Sequence, residues 1–318
     1  MSIIDSGLAF VFPGQGSQSI GMLAELGKAF PIVGQTFAEA SEILGFDLWK
    51  LTQEGPEEDL NQTRNTQPAM LAAGIATWRI WCEATDVRPA WMAGHSLGEY
   101  TALVASGVLE FGDAVRLVAK RGQLMQEAVP VGKGAMAAIL GLDDPLVVAA
   151  CRQATMNGTI VTPANFNGPG QIVIAGHREA VDRAIDVAKS LGTKRAVVLP
   201  VSVPSHCPLM EPASEEFASV LSEVPLSIPG EISVIHNVDV ARHSEPEVIR
   251  EVLARQIANP VRWSETIRFF HDHGVKRFVE CGPGKVLTGL NKRIVKDAWT
   301  HSILDEDSLN NILLEFFQ

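Results

Sequence analysis

Short apolar runs that end in glycine or proline alternate with amphipathic segments along most of this chain. The run LAFVFPGQG (8–16) is typical of a buried strand that ends in a tight loop. A helix is predicted over 65–84, with Pro68 near its start, where a missing backbone donor has no cost. RPAWMAG (88–94) predicts a second strand, and EYTALVAS (99–106) predicts a second helix. This alternation predicts an α/β fold with a parallel sheet core and surrounding helices.

The pattern changes in the middle of the chain. There the strand and helix segments follow the order β-α-β-β-α-β, which is the order of a ferredoxin-like unit. We therefore expect a small ferredoxin-like subdomain at 133–202, inserted into a large α/β core formed by 1–132 and 203–318. After this insertion, SVIHN (233–237) and KRFVECGPG (276–284) are predicted to complete the parallel sheet.

Composition and charge narrow the classes of function. Among the 318 residues, 46% are apolar, but no run of about 18 apolar residues suggests a membrane span. No cationic segment precedes the first apolar run, which argues against a signal peptide and predicts a cytoplasmic protein. The four cysteines stand singly, which fits neither a disulfide framework nor a metal site, and the net charge of −11 disfavours nucleic acid as a partner. No large apolar stripe is left over for a dimer interface, so we expect a monomer.

A candidate nucleophile lies in AGHSLGEYTAL (93–103). The pattern Gly94-x-Ser96-x-Gly98 falls between a predicted strand and a predicted helix, as in the nucleophile elbow of α/β hydrolases, so we expect a hydrolase-like sheet. In such an elbow the backbone N–H of Leu97 can help to stabilise an oxyanion. Alternatively, the glycines only permit a tight turn and Ser96 caps the helix. The motif alone leaves both interpretations open.

A serine nucleophile needs a base, which is usually histidine. His95 is a poor candidate, because neighbouring side chains on a sharp turn point apart. His271 and His273 lie at the end of an amphipathic helix, where a capping or solvated role is more typical. His206, in VSVPSHCPLM (201–210), stands between two prolines that stiffen its loop and could fix an imidazole in place. A purely structural role for that histidine is equally compatible with the pattern.

The helix predicted over 112–129 places an arginine on its apolar face. Arg121 lies three or four residues from most members of the apolar stripe, whereas Arg116 and Lys120 fall on the solvated side. An inward arginine must be paired or must line a polar pocket, because an isolated buried charge is very costly. Arg121 is therefore expected either in an internal salt bridge or as a fork that binds a ligand carboxylate.

Seven motifs carry a resemblance to a known family: FVFPGQGSQ, GHSLGEY, RGQLMQEAVP, NFNGPGQIVIAGH, VSVPSHCPLM, RQIANPVRW and ECGPGKVLTGL. With these motifs the chain resembles the malonyl-CoA:acyl-carrier-protein transacylases of fatty acid synthesis, over nearly its whole length and in the family's order. Acyltransferases of polyketide synthases share most of the motifs. The run Val203-Pro204-Ser205-His206 agrees with the stand-alone bacterial transacylases.

The resemblance implies a role for each matching residue of the reaction centre. Ser96 would be the acylated nucleophile and His206 the general base and acid. Arg121 would hold the malonyl carboxylate. Gln256 matches a position in the substrate site whose backbone carbonyl, in place of an acid, orients the histidine.

Other matching positions concern the oxyanion and the cleft. The backbone N–H groups of Gln15 and Leu97 would form the oxyanion hole. Asn165 and Asn167 lie in a matching segment of the small subdomain that faces the cleft.

The resemblance also implies the partners of the reaction. These are malonyl-CoA and acyl carrier protein, with no metal or redox cofactor. Because carrier proteins are acidic, a local basic patch must offset the net negative charge of this chain; the candidates are Lys120, Lys285, Lys292 and Arg293. Two other functions remain open, a serine esterase or thioesterase of α/β-hydrolase type and a non-catalytic docking subunit.

Overall fold

A computed structural model describes residues 2–201 and 203–316. Within these residues nine β-strands are found: β1 (Ile3–Phe12), β2 (Val87–Gly94), β3 (Gly134–Leu140), β4 (Val161–Gly168), β5 (Gln171–His177), β6 (Arg195–Val198), β7 (Ser233–Val234), β8 (Arg277–Cys281) and β9 (Trp299–Ile303). The same residues form fourteen α-helices: α1 (Ala24–Ala29), α2 (Pro31–Leu44), α3 (Leu48–Glu54), α4 (Glu57–Leu60), α5 (Thr63–Ala84), α6 (Gly98–Ala105), α7 (Phe111–Glu127), α8 (Asp144–Ala154), α9 (Arg178–Ser190), α10 (Glu211–Ser222), α11 (Pro246–Gln256), α12 (Trp263–Asp272), α13 (Val286–Ile294) and α14 (Glu306–Phe316).

Five parallel strands form the central sheet, in the order β7-β2-β1-β8-β9. The middle strand β1 pairs with β2 on one side and with β8 on the other. Its apolar run from Leu8 to Phe12 is fully buried, because one apolar cluster covers each face of the sheet. The predicted α/β fold with a parallel sheet and helices is confirmed.

A second, antiparallel sheet has the strand order β4-β5-β3-β6. Its strands and the helices α8 and α9 follow one another as β-α-β-β-α-β, the order that the sequence predicts. These elements share an apolar cluster of their own. Strand β4 also exchanges backbone hydrogen bonds with Val261, which joins one edge of the small sheet to the segment just before α12.

The structure differs from the sequence-based prediction at three elements. Helix α5 begins at Thr63, so Pro68 lies in its second turn and its missing N–H deprives the Arg64 carbonyl of a helical partner; the expectation that this proline has no cost is wrong. Strand β7 covers only two of the five residues predicted in 233–237, because the chain turns away towards the first turn of α6. Strand β9 was not predicted. None of the described helices combines the length and hydropathy that crossing a membrane requires.

Candidate active site

Ser96 lies on the sharp turn between β2 and α6, with a left-handed φ of 52°. A Cβ atom on Gly94 would lie 1.7 Å from the carbonyl carbon of Gly98, and one on Gly98 would lie 2.0 Å from the carbonyl oxygen of Phe12. Both positions therefore need glycine, because these backbone atoms cannot move apart without breaking the sheet. The side chain of Ser96 does not cap α6, and its Oγ points to His206 and Arg121 instead. The interpretation of Ser96 as a helix cap is wrong.

His206 is within hydrogen-bond distance of the serine. Its Nε2 lies 2.7 Å from Ser96 Oγ, and its Nδ1 lies 2.8 Å from the backbone oxygen of Gln256. A carbonyl oxygen can only accept, so Nδ1 carries the proton and Nε2 is free to accept from the serine hydroxyl. This is the geometry of a nucleophile and its base, with a carbonyl in the third position.

Both histidines near the serine are held in the neutral form. Burial, and then the nearby charge of Arg121, lower the pKa of His206 to about 3. Burial also lowers the pKa of His95, whose Nε2 lies 2.8 Å from Asn167 Oδ1 and not near the serine. His95 therefore anchors the elbow to β4, as expected of a residue that is not the base.

Arg121 is almost fully buried and points at the same serine. Its Nη1 donates to Gln67 Oε1 at 2.9 Å, and its Nη2 donates to Gln256 Oε1 at 2.8 Å and to Ser96 Oγ at 3.3 Å. Within residues 2–201 and 203–316, no carboxylate lies within 4.0 Å of this guanidinium, and its Nε has no acceptor there. The internal salt bridge, one of the two alternatives for Arg121, is thus not observed in the described part of the chain. A guanidinium with N–H groups to spare suits a ligand carboxylate.

The chain matches the family model for the acyl transferase domain over residues 9–306. It belongs to the acyl transferase family. The malonyl CoA-acyl carrier protein transacylase of Salmonella typhimurium is 56% identical to it over 298 residues, which are 94% of this chain and 96% of that relative. The protein of the same name from Escherichia coli is 55% identical over 307 residues, which are 96% of this chain and 98% of that relative.

Solved structures of this family superpose closely on the acyltransferase described here. An acyl carrier protein S-malonyltransferase from Vibrio cholerae is 54% identical, with a TM-score of 0.93 over 96% of this chain and 99% of that one. A malonyl-transacylase solved in complex with a type II polyketide synthase acyl-carrier protein is 55% identical, with a TM-score of 0.95 over 97% of this chain and 99% of that one. Fold and family are therefore established over nearly the whole chain.

The remaining predicted residues of the acyltransferase site fall at different distances from its centre. Leu97 follows the serine directly, and the loop after β1 brings the Gln15 side chain to 3.5 Å from Thr63 Oγ1. Asn167 touches the elbow through His95, whereas Asn165 pairs through its backbone with Val261. Asn167 is thus the member of this pair that hydrogen-bonds to the elbow.

The four basic candidates do not form one patch. Lys285, Lys292 and Arg293 lie at or next to α13, which packs against β4 beside the elbow, and all three are exposed. Lys120 lies on α7 and pairs with Glu216 at 3.3 Å. Three of the candidates thus share one helix beside the site, and Lys120 is apart from them.

Sequence reasoning missed a buried carboxylate behind the serine. Glu99 is completely buried, and it accepts hydrogen bonds from the backbone N–H of Asn237 at 2.9 Å and from Gln256 Nε2 at 2.8 Å. Its Oε1 lies 2.7 Å from His236 Nδ1. The available signal lay in its partners: His236 and Asn237 are the last residues of a predicted parallel strand, and sites form at the carboxyl ends of such strands. Gln67, on α5, was also missed.

Proposed function

We propose that this acyltransferase moves the malonyl group of malonyl-CoA to the phosphopantetheine thiol of acyl carrier protein, through a malonyl ester on Ser96, and so supplies fatty acid elongation. The observation that carries the proposal is the environment of one atom. Ser96 Oγ lies 2.7 Å from the bare nitrogen of His206 and 3.3 Å from the guanidinium of Arg121. A base and a carboxylate-binding cation therefore converge on the nucleophile. The relatives named above carry the same activity in their names.

In the first half-reaction Ser96 Oγ attacks the thioester carbonyl, and its proton passes to Nε2 of His206. The negative charge that develops on the carbonyl oxygen is met by the backbone N–H groups of Gln15 and Leu97. The tetrahedral intermediate then collapses, the carbon–sulfur bond breaks, and His206 returns the proton to the sulfur. Coenzyme A leaves as a thiol, and the malonyl group remains on the serine.

The second half-reaction runs the same steps in reverse with a different thiol. The phosphopantetheine thiol gives its proton to His206 and attacks the malonyl ester, and His206 then protonates Ser96 Oγ as the ester bond breaks. One thioester is exchanged for another, so the transfer is reversible and ping-pong. Side chains and backbone groups of this chain serve every proton transfer and every charge, so we propose no resident metal or redox cofactor.

Arg121 gives the malonyl group two advantages over an uncharged acyl group. Its free N–H groups bind the carboxylate with charge-assisted hydrogen bonds. The carboxylate also offsets the guanidinium charge, which is one of the causes that lower the pKa of His206. Binding of malonyl-CoA therefore makes His206 a better proton acceptor at the moment when the base is needed.

We further propose that 133–202 is an inserted ferredoxin-like subdomain that covers the cleft. Support comes from its β4-β5-β3-β6 strand order, from its separate apolar cluster, and from the contact between Asn167 and His95. A cover of this kind keeps water from the acyl-serine. A transferase needs this exclusion of water, whereas an esterase must admit water to its acyl-serine. A monomer that acts in the cytoplasm remains our expectation from the sequence.

The intact mass of the protein after mixing with malonyl-CoA tests the proposed function. We expect a malonyl adduct on the wild type, its absence in Ser96→Ala, and its discharge when acyl carrier protein is added. Ser106→Ala, which removes a hydroxyl that donates to the Leu103 carbonyl, is the matched control and should keep the adduct. Free malonate without a lasting adduct would indicate an esterase. Neither adduct nor product would indicate a docking subunit.

A further inference from the structure

Gln256 connects the two halves of the catalytic site. Its backbone oxygen orients His206, while its side-chain oxygen accepts from Arg121 Nη2 at 2.8 Å. Its side-chain nitrogen donates to the backbone oxygen of Ser96 at 2.9 Å and to Glu99 Oε2 at 2.8 Å. The amide has to present its oxygen to the arginine, because an amide nitrogen in that place would leave one N–H group of Nη2 without an acceptor.

Glu99 is the charged acceptor that sets this orientation, together with the backbone oxygen of Ser96. A carboxylate can only accept hydrogen bonds, so the end of the Gln256 amide that faces it must be the nitrogen. The opposite end, the oxygen, is thereby turned to Arg121. The carboxylate cannot swing away from this role, since the backbone N–H of Asn237 and the ring of His236 hold it and it is completely buried.

We propose that Glu99 is a positioning residue for acyl-group selection: it fixes the Gln256 amide so that its oxygen holds the guanidinium of Arg121 in the place where it binds the malonyl carboxylate. This inference rests on the proposed function. It adds a buried carboxylate that touches neither substrate nor nucleophile to the residues that determine specificity. Glu99 acts through Gln256 and not by pairing with Arg121, because the two are not in salt-bridge contact.

The test uses Glu99→Gln, which keeps the shape of the side chain but can present a donor to Gln256. Initial rates of Ser96 acylation from malonyl-CoA and from acetyl-CoA give the selectivity ratio. We expect this ratio to fall about tenfold, through a higher KM for malonyl-CoA, while acetyl-CoA acylation changes little. Glu280→Gln is the matched control, because Glu280 is equally buried and accepts from the backbone N–H groups of Leu287 and Thr288 without touching the site. It should lower the melting temperature and leave the ratio unchanged.

A double-mutant cycle with Gln256→Ala separates action through Gln256 from direct action on Arg121. Gln256→Ala keeps the backbone carbonyl that orients His206 and removes the amide. Adding Glu99→Gln to this background should then have no further effect on the ratio. An equal fall of the ratio with and without the Gln256 side chain would overturn the proposal.

Glu99→Asp decides the matter if Glu99→Gln does not fold. Its carboxylate is one methylene shorter, so it withdraws from Gln256, and the ratio should again fall; an unchanged ratio would refute the role. Failure of the proposed function looks different. In that case the wild type itself forms no malonyl adduct, whereas failure of this inference leaves a wild type that prefers malonyl-CoA and a Glu99 variant with the same preference.

Discussion

Replacing Arg121 with methionine removes the cation from the site while keeping a long unbranched side chain. Arg121 is 1% exposed, so a shorter residue would also leave a cavity and confuse selectivity with stability. Arg116→Met is the matched control. It lies on the same helix, but its guanidinium is exposed and pairs with Asp113 at 3.0 Å.

The expected magnitude follows from the hydrogen bonds that a malonyl carboxylate would lose. A hydrogen bond to a charged group contributes about 1.5–3 kcal/mol, and about 1.4 kcal/mol corresponds to a tenfold change in rate. Gln67 and Gln256 already accept hydrogen bonds from the guanidinium, so we take the lower end of this range for each of two bonds to the carboxylate. The loss is then about 3 kcal/mol, or roughly 100-fold in the rate of malonyl transfer. An acetyl group has no carboxylate, so its transfer does not depend on these hydrogen bonds. Without the charge of Arg121, one cause of the lowered pKa of His206 also disappears, so acetyl transfer should be unchanged or faster.

The assay is single-turnover acylation of Ser96, measured by intact mass against time with malonyl-CoA and with acetyl-CoA. For Arg121→Met, the malonyl-to-acetyl ratio of kcat/KM should fall about 100-fold. For Arg116→Met it should stay at the wild-type value. An Arg121→Met enzyme that keeps its malonyl preference would refute the assignment of this residue to the carboxylate.

Acid pH, the elbow glycine and the basic surface at α13 each lead to a further measurable outcome. Because the pKa of His206 in the free enzyme is lowered to about 3, the base stays neutral in mild acid, so kcat/KM for acylation should be flat from about pH 8 to about pH 5; an inflection near pH 6.5 would contradict this. Gly98→Ala should abolish folding of the elbow and acylation, whereas Gly34→Ala, in an open helix position, should raise stability by up to about 1 kcal/mol in chemical denaturation. Lys285→Glu combined with Lys292→Glu should raise the KM for acyl carrier protein in steady-state kinetics and leave that for malonyl-CoA unchanged; equal effects on both would exclude the docking role.

The residues that the sequence alone could place were those with a local signature. Ser96 was identifiable because two glycines frame it between a strand and a helix. Arg121 was identifiable because helical periodicity assigns it to an apolar face, where a cation must be paired or must line a polar pocket. His206 was marked by the prolines around it. In each case the signal lies within a few residues of the functional side chain.

The buried carboxylate could not be placed in this way, because its partners are distant in the chain. Glu99 meets Asn237 across 138 residues and Gln256 across 157. Glutamate in the first turn of a helix is also the ordinary partner of the helix dipole and is almost never fully buried, so no local pattern predicts Glu99 in the interior. Pairings of this kind depend on how the loop after β7 and the end of α11 fold back over the elbow, which periodicity does not encode.

Helix α11 ends at the residue whose carbonyl takes the place of a catalytic acid. The last carbonyl groups of a helix have no partner within it, so the Gln256 oxygen is free to accept from His206 Nδ1. The same end of the helix carries partial negative charge, which favours an imidazolium. This stabilisation is smaller than that from a full carboxylate, and it suits a reaction whose leaving group is a thiol that needs little help from an acid. Because the side chain of Gln256 also holds Arg121, the mechanism we propose makes the position of one helix end determine both the strength of the base and the choice of acyl group.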